Sequence, residues 1–303
     1  MRGNPRLPVY IFMKLTVDAA AKINLSLDIT GTLENGYHSL FMIMQSVSLC
    51  DTVILETTES GTIELTCSEE SLPTDRRNIA YKAALMFFTE AGVKNRGLKI
   101  HIEKHIPFAA GLAGGSADAA AVIAGLDMLY KTGLCQTALC NIGHKVGSDV
   151  PFCLTGGTKL VENSGEKITP LPPLAECCVV LAKPERGVST ADAYARFDEK
   201  KDIVHPDNAA ILQAAKGSDY PALCRHSANV FEQVTFLPEF ETIRGVLGRH
   251  NADLIRMSGS GPTMFGLFRS YSAAEKAEKE LKSSGVCQTV CVCKPVSTGV
   301  STR

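Results

Sequence analysis

The sequence lacks a Cys-x-x-Cys pair, a surplus of charge, an apolar run of membrane length and a Gly-Lys-Ser/Thr triplet, and each absence removes a class of protein. Its eleven cysteines, at 50, 67, 135, 140, 153, 177, 178, 224, 287, 291 and 293, are odd in number and lack metal-ligand spacing. That argues against a zinc site and a disulfide framework, and for buried, reduced thiols in a cytoplasmic protein. With Lys+Arg 31 against Asp+Glu 32 the net charge is −1, so no global field gathers nucleic acid or an anionic membrane. An anionic substrate must find its positive charge locally. No apolar stretch approaches the roughly 18 residues that a membrane helix needs. Without Gly-Lys-Ser/Thr there is no Walker loop, Gly-x-G-x-x-G does not occur, and His-Arg-Asp and Asp-Phe-Gly are missing too.

What is present is an ordinary globular composition, 45% apolar and 21% charged, over 303 residues. At about 150 residues per domain that length suggests two domains, with enough chain to bury a core without staples. Arg2 and Arg6 precede a short apolar stretch that holds Pro8 and has no small-residue cleavage site, a poor signal peptide. Met13-Lys14 opens the first strand-like run, so Met13 is the expected natural start and residues 1–12 an extension.

Strand and helix signals alternate with short connections, a mixed α and β pattern. Strands are expected over residues 15–29, with a polar interruption at Lys22 and Asn24, then 41–49, 52–57 and 62–67 as an antiparallel run, and 98–104. Helices are expected over 78–91, 116–130 and 136–145, the second apolar nearly all round and therefore buried. A strand pair follows near Gly156-Gly157. The proline cluster at 169–173 is the expected domain connection, giving domains 1–168 and 169–303. Beyond it come a strand at 178–182, helices at 190–197 and 208–215, a long helical pattern over 221–250, a strand at 264–268 and a helix at 272–284.

The strongest local signal is Pro107-Phe108-Ala109-Ala110-Gly111-Leu112-Ala113-Gly114-Gly115-Ser116, between a strand and the buried helix. Glycines let backbone N–H groups turn inward, and the helix dipole favours an anion at that end. Taken alone, the same stretch also fits a tight strand-to-helix connection.

The pattern Pro-x-x-x-Gly-Leu-x-Gly-Gly-Ser before an alanine-rich helix resembles the phosphate loop of the GHMP kinases. Ala20-Ala21-Lys22-Ile23-Asn24-Leu25 is similar to that family's first motif, and Met257-Ser258-Gly259-Ser260-Gly261-Pro262-Thr263-Met264-Phe265 to its third. Gly36-Tyr37-His38 and Gly147-Ser148-Asp149-Val150-Pro151-Phe152 resemble the branch that acts on a cytidine diphosphate-linked methylerythritol in the non-mevalonate route to isoprenoids. Two departures are Ala20, where a proline is usual, and Ala117, where a second serine is frequent. The resemblance implies an α+β, two-domain fold: an N-terminal ribosomal-protein-like βα domain, a C-terminal ferredoxin-like sandwich domain, and the active site between them. It implies ATP-dependent phosphorylation of the substrate's 2-hydroxyl, with Mg2+ accompanying ATP, in a cytoplasmic monomer or weak homodimer. Another GHMP kinase, for homoserine or mevalonate, and a catalytically silent nucleotide-binding homologue are the alternatives.

By the same resemblance Asp149 is the base for the substrate hydroxyl and Lys22 its neighbour. Taken singly, they also read as a turn aspartate and a solvent-reaching strand lysine. Asn24, two residues from Lys22, shares its strand face and could donate to substrate. Tyr37 offers a stacking face, His38 an imidazole for the edge of the cytosine, and Tyr194 covers the base's other face, unless it is a core tyrosine. The ATP site comprises Pro107, Ala109, Ala110, Gly111, Leu112, Ala113, Gly114, Gly115, Ser116 and Ala117, and Lys104 either meets the nucleotide or is an exposed strand lysine. Ser116 could cap the helix, touch the β-phosphate or reach Mg2+. Gly259, Ser260 and Gly261 form a turn expected to pack on the phosphate loop and the substrate's diphosphate. His101 and His105 are expected at the surface, without a third metal ligand.

Overall fold

In a computed structural model that describes residues 13–94 and 97–303, β1 (Lys14–Thr32) runs unbroken through Lys22 and Asn24. The expected extension, residues 1–12, lies outside the described residues. β1 pairs antiparallel with β2 (His38–Thr57), a single long strand where two shorter ones were expected. The register slips where Ala20 pairs with Cys50 but Ala21 with Val47. The residues lifted out there serve the far end of the chain, since the Ser48 amide donates to the Lys294 carbonyl at 2.8 Å. A bulge thus makes one continuous strand look like two in the sequence.

β3 (Ile63–Cys67), α1 (Ile79–Glu90) and β4 (Leu98–Glu103) follow, with β4 antiparallel to β2. β3 lies parallel to β4, which stands between it and β2, so 62–67 does not pair directly with 52–57 as an antiparallel run would; the intervening helix carries the chain back across the sheet. α2 (Gly114–Tyr130) starts two residues earlier than expected and packs its buried face on β1 and β2 and against α1. A Cβ at Gly125 would collide with the Leu55 side chain, so glycine sets how closely this helix approaches the sheet. α3 (Gln136–Val146) and the short α4 (Val150–Thr155) precede the hairpin of β5 (Thr158–Asn163) and β6 (Lys167–Pro170), which adds to β2.

The chain changes sheet between β6 and β7 (Cys178–Lys183). α5 (Thr190–Glu199), α6 (Asn208–Lys216) and α7 (Tyr220–His226) come next. The long helical pattern expected over 221–250 is broken into α7, a 3-10 turn at Val230–Gln233 and α8 (Glu239–Arg249). Around the break, residues 227–229 are drawn against β1: Ser227 Oγ donates to the Leu25 carbonyl and Leu27 bridges Asn229. β8 (Leu254–Met257), β9 (Met264–Phe268), α9 (Tyr271–Ser284) and β10 (Thr289–Cys293) complete an antiparallel sheet in the order β10-β7-β9-β8, with α9 packed on it. The last strand, β11 (Val300–Thr302), returns to β1. A mixed α+β architecture with two sheets is thus the expected one.

β11 covers β1 only at Val17–Ala19, and an open edge would strand backbone donors. They are taken up in sequence. Ala20 N donates to Gly299 O, Lys22 N to Leu112 O at 3.1 Å, Asn24 N to Ser258 Oγ at 3.2 Å and Leu27 N to Ala228 O. One strand edge therefore binds the C-terminal tail, the phosphate loop, the third motif and the α7 break into one block.

Candidate active site

Where β1 meets the phosphate loop a cleft of about 790 Å3 opens, and most of the residues singled out in the sequence lie on its wall. Lys22 and Asn24 project side by side, as strand alternation requires, with Lys22 Nζ donating to Asn24 Oδ1 at 2.6 Å. Both are buried. Neither is a solvent-reaching strand residue. Opposite them, Asp149 Oδ2 stands 3.9 Å from Lys22 Nζ. Asp149 occupies the cap position of α4, yet its side chain makes no capping bond, so the carboxylate is free to face the lysine.

The loop before α2 is built by backbone. Ala109 and Ala113 hold φ of 49° and 57°, and Gly111 holds 73°. A Cβ on Gly111 would run into the Ser258 carbonyl oxygen, so only glycine permits this approach of loop and third motif. Ser258 is the rivet between them: its Oγ donates to Gly111 O at 2.9 Å while accepting from Asn24 N. Asn229 holds the same turn from below, donating to Met257 O and Gly259 O at 2.7 and 2.8 Å. The turn of Gly259, Ser260 and Gly261 packs on the phosphate loop as expected, and Gly259 and Ser260 line the cleft.

Pro107, Ala109, Ala110, Gly111, Ala113, Gly114, Gly115 and Ser116 also line it. Leu112 and Ala117 do not, because their side chains turn into the core. Ser116 sits in the first turn of α2, whose cap position is Ala113, so the capping role considered for its hydroxyl is not realised. Among the described residues that hydroxyl has no hydrogen-bond partner.

Lys104 lies on the cleft wall beside the phosphate loop. It is no exposed strand lysine: its side chain is 8% exposed and is gripped by Asp51 and by Asp118, the latter at 2.7 Å. Asp51 also accepts the His105 and Ile106 amides at 2.6 and 2.8 Å. The clamp ties the end of β4 to the start of α2 and so fixes both ends of the phosphate loop. Burial, with the Asp51 charge adding to it, pushes Asp118 up to about 8 despite Lys104. Asp51 and Asp118 were not anticipated. The available signal was Asp118 itself, a carboxylate in the first turns of a helix apolar nearly all round, which demands a buried partner.

At the other end of the cleft Tyr37 is 68% exposed, beside the half-buried His38 and Tyr194. The imidazole stacks on Tyr194 with centroids 4.7 Å apart, so that face of Tyr194 is taken by His38 and is not open to a base. Phe231 meets the Tyr194 ring edge-on at 4.9 Å. Asp198, also unanticipated, lies 2.7 Å from His38 Nε2. His101 and His105 stay outside the cleft, His101 bonded to Thr66 Oγ1.

Residues 78–157 match the GHMP kinases N terminal domain and residues 207–287 the GHMP kinases C terminal domain. The chain belongs to the GHMP kinase family. It is 43% identical, over 92% of its length, to a 4-diphosphocytidyl-2-C-methyl-D-erythritol kinase of Geobacillus sp. and to one of Exiguobacterium sibiricum, spanning 96% and 97% of those proteins. A crystal structure of 4-(cytidine 5'-diphospho)-2C-methyl-D-erythritol kinase superimposes with a TM-score of 0.76 at 30% identity, covering 93% of this chain and 99% of the other. Homoserine kinase from Cytophaga hutchinsonii shares the fold, with a TM-score of 0.78 at 20% identity over 96% and 97% of the two chains.

Proposed function

We propose that this chain transfers the γ-phosphoryl group of ATP to the 2-hydroxyl of 4-diphosphocytidyl-2-C-methyl-D-erythritol, in the cytoplasm and within the non-mevalonate route to isoprenoids. The observation that carries this reading is that a single cleft holds an amide-lined loop, a Lys22–Asp149 pair and an aromatic–imidazole wall at its far end. The similarity to named kinases of that substrate supports it.

In this mechanism the substrate hydroxyl lies against Asp149, which takes its proton as the oxygen forms its bond to the γ-phosphorus. The bond from that phosphorus to the β,γ-bridging oxygen breaks, and ADP leaves. Lys22, 3.9 Å from Asp149, attracts it by about 4 kcal/mol at an effective dielectric of 20 and faces the oxygens on which charge develops. Asn24 fixes the lysine through its side-chain oxygen and leaves its amide nitrogen toward the Met42 sulfur at 3.4 Å. The amides of residues 111–116 receive the phosphates at the dipole-positive end of α2. Mg2+ would arrive with ATP, supplying positive charge to the phosphate oxygens, and the unpartnered hydroxyl of Ser116 on the cleft wall is the side chain that would meet it.

Tyr37 offers its exposed ring to the base, His38 an edge nitrogen, and Tyr194 backs the imidazole. The division into domains 1–168 and 169–303 is proposed on the same footing, supported by the change of sheet after β6. A substrate panel read by ADP release tests the function, with cytidylyl-methylerythritol beside mevalonate, homoserine and galactose. Turnover is expected with the first alone. Turnover of another acceptor at comparable kcat/KM would replace the assignment.

A further inference from the structure

α5 presents three residues to one imidazole. Tyr194, Phe197 and Asp198 stand at i, i+3 and i+4 and therefore share a helix face. Tyr194 stacks on the ring of His38 at 27°, Phe197 meets it at 90° with centroids 6.2 Å apart, and Asp198 Oδ1 lies 2.7 Å from Nε2. The ring is thus held on one face, from the side and at one nitrogen, all by a single helix. Nδ1 has no partner among the described residues, although His38 lines the cleft. Stability explains little of this arrangement, because the Asp198 side chain is 58% exposed and ion pairs on a rim add little.

A carboxylate can only accept, so it draws the ring hydrogen to Nε2, and in the neutral ring Nδ1 is left with its lone pair. We propose that Asp198 is a positioning residue for substrate choice: it makes His38 Nδ1 an acceptor and so selects a pyrimidine bearing an exocyclic amino group over its keto analogue. The proposal rests on the cytidylyl-substrate reading above. An amino group donates to Nδ1. A keto oxygen there would set two lone pairs against each other and leave both unpaired. A supporting carboxylate behind a ligating or recognising histidine acts in this way elsewhere, fixing tautomer and ring orientation together.

The test is competition between CDP and UDP for the cytidylyl substrate in wild type, Asp198→Ala and Asp198→Asn, together with KM for both substrates. Wild type is expected to prefer CDP, and Asp198→Ala to lose about three- to tenfold of that preference. Its KM for the cytidylyl substrate rises while KM for ATP stays. Asp198→Asn, whose amide oxygen can accept the same hydrogen, retains most of the preference. In parallel, 15N spectra, with the His38 signals assigned through His38→Gln, should show the Nε2-protonated neutral ring in wild type and a mixture of tautomers in Asp198→Ala. An unchanged CDP/UDP ratio in Asp198→Ala, or a wild-type ring carrying hydrogen on Nδ1, overturns the proposal and leaves the kinase reading intact. A wild-type protein that neither binds CDP nor phosphorylates the cytidylyl substrate removes that reading, and this proposal with it.

Discussion

The two ends of the cleft are made differently. The phosphate end is backbone, with Ala109, Gly111 and Ala113 at positive φ, riveted by Ser258 and clamped by a buried Asp51–Lys104–Asp118 cluster. The base end is side chain, with an exposed Tyr37, a half-buried His38 and an Asp198 on the rim. An end built from backbone and buried charge cannot change one residue without disturbing the core, whereas an end built from exposed side chains can change its ligand residue by residue. The contrast separates the part of the site suited to any ATP-dependent member of the family from the part suited to one substrate.

The reacting groups sit between the ends, and substitutions there are expected to cost most. Asp149→Asn and Lys22→Ala should each lower kcat by about 10²–10⁴-fold while ATP binding, followed by titration calorimetry, persists. A variant of Asp149 that keeps more than about a tenth of the rate removes the base assignment. Next in size, Gly111→Ala places a Cβ against the Ser258 carbonyl in a left-handed backbone and should cost about 1–3 kcal/mol of stability, with ATP affinity falling alongside. Denaturant unfolding and ATP titration check both. At the opposite end, His38→Ala should raise KM for the cytidylyl substrate about tenfold, with neither KM for ATP nor the melting temperature following. Equal shifts in both KM values would dissolve the distinction between the ends.

The same division governs how much of the molecule the sequence discloses. The phosphate loop, Lys22, Asn24 and the third motif are contiguous patterns, and strand alternation alone places Lys22 and Asn24 on one face. α1 was bounded correctly because Asn78, as N-cap, accepts the Ala80 amide at 2.9 Å, a local signal. Contacts made across the fold left no local trace. Asp51 and Lys104 are 53 residues apart and His38 and Asp198 are 160 apart, so neither pair has a spacing to detect. Residues 221–250 read as one helix because apolar spacing continues through the break, where tertiary bonds from Ser227 and Asn229 to β1 and the third motif override local preference. The short strands β8, β10 and β11 escaped because runs of three to five residues carry little periodicity.

A separate expectation tests whether the phosphate end is tied to the core through charge. Burial and the Asp51 carboxylate outweigh Lys104 and push Asp118 up to about 8, against 3.8 for an ordinary aspartate. Between those values the folded chain binds more proton than the unfolded one, so this group's contribution is complete below pH 4 and is lost as pH rises through 8. Asp118→Asn is neutral in both states and lacks that loss. The melting temperature of Asp118→Asn relative to wild type should therefore climb from pH 5 to pH 8 and level off above it. A flat Asp118→Asn difference would mean that the buried clamp holds both carboxylates ionised.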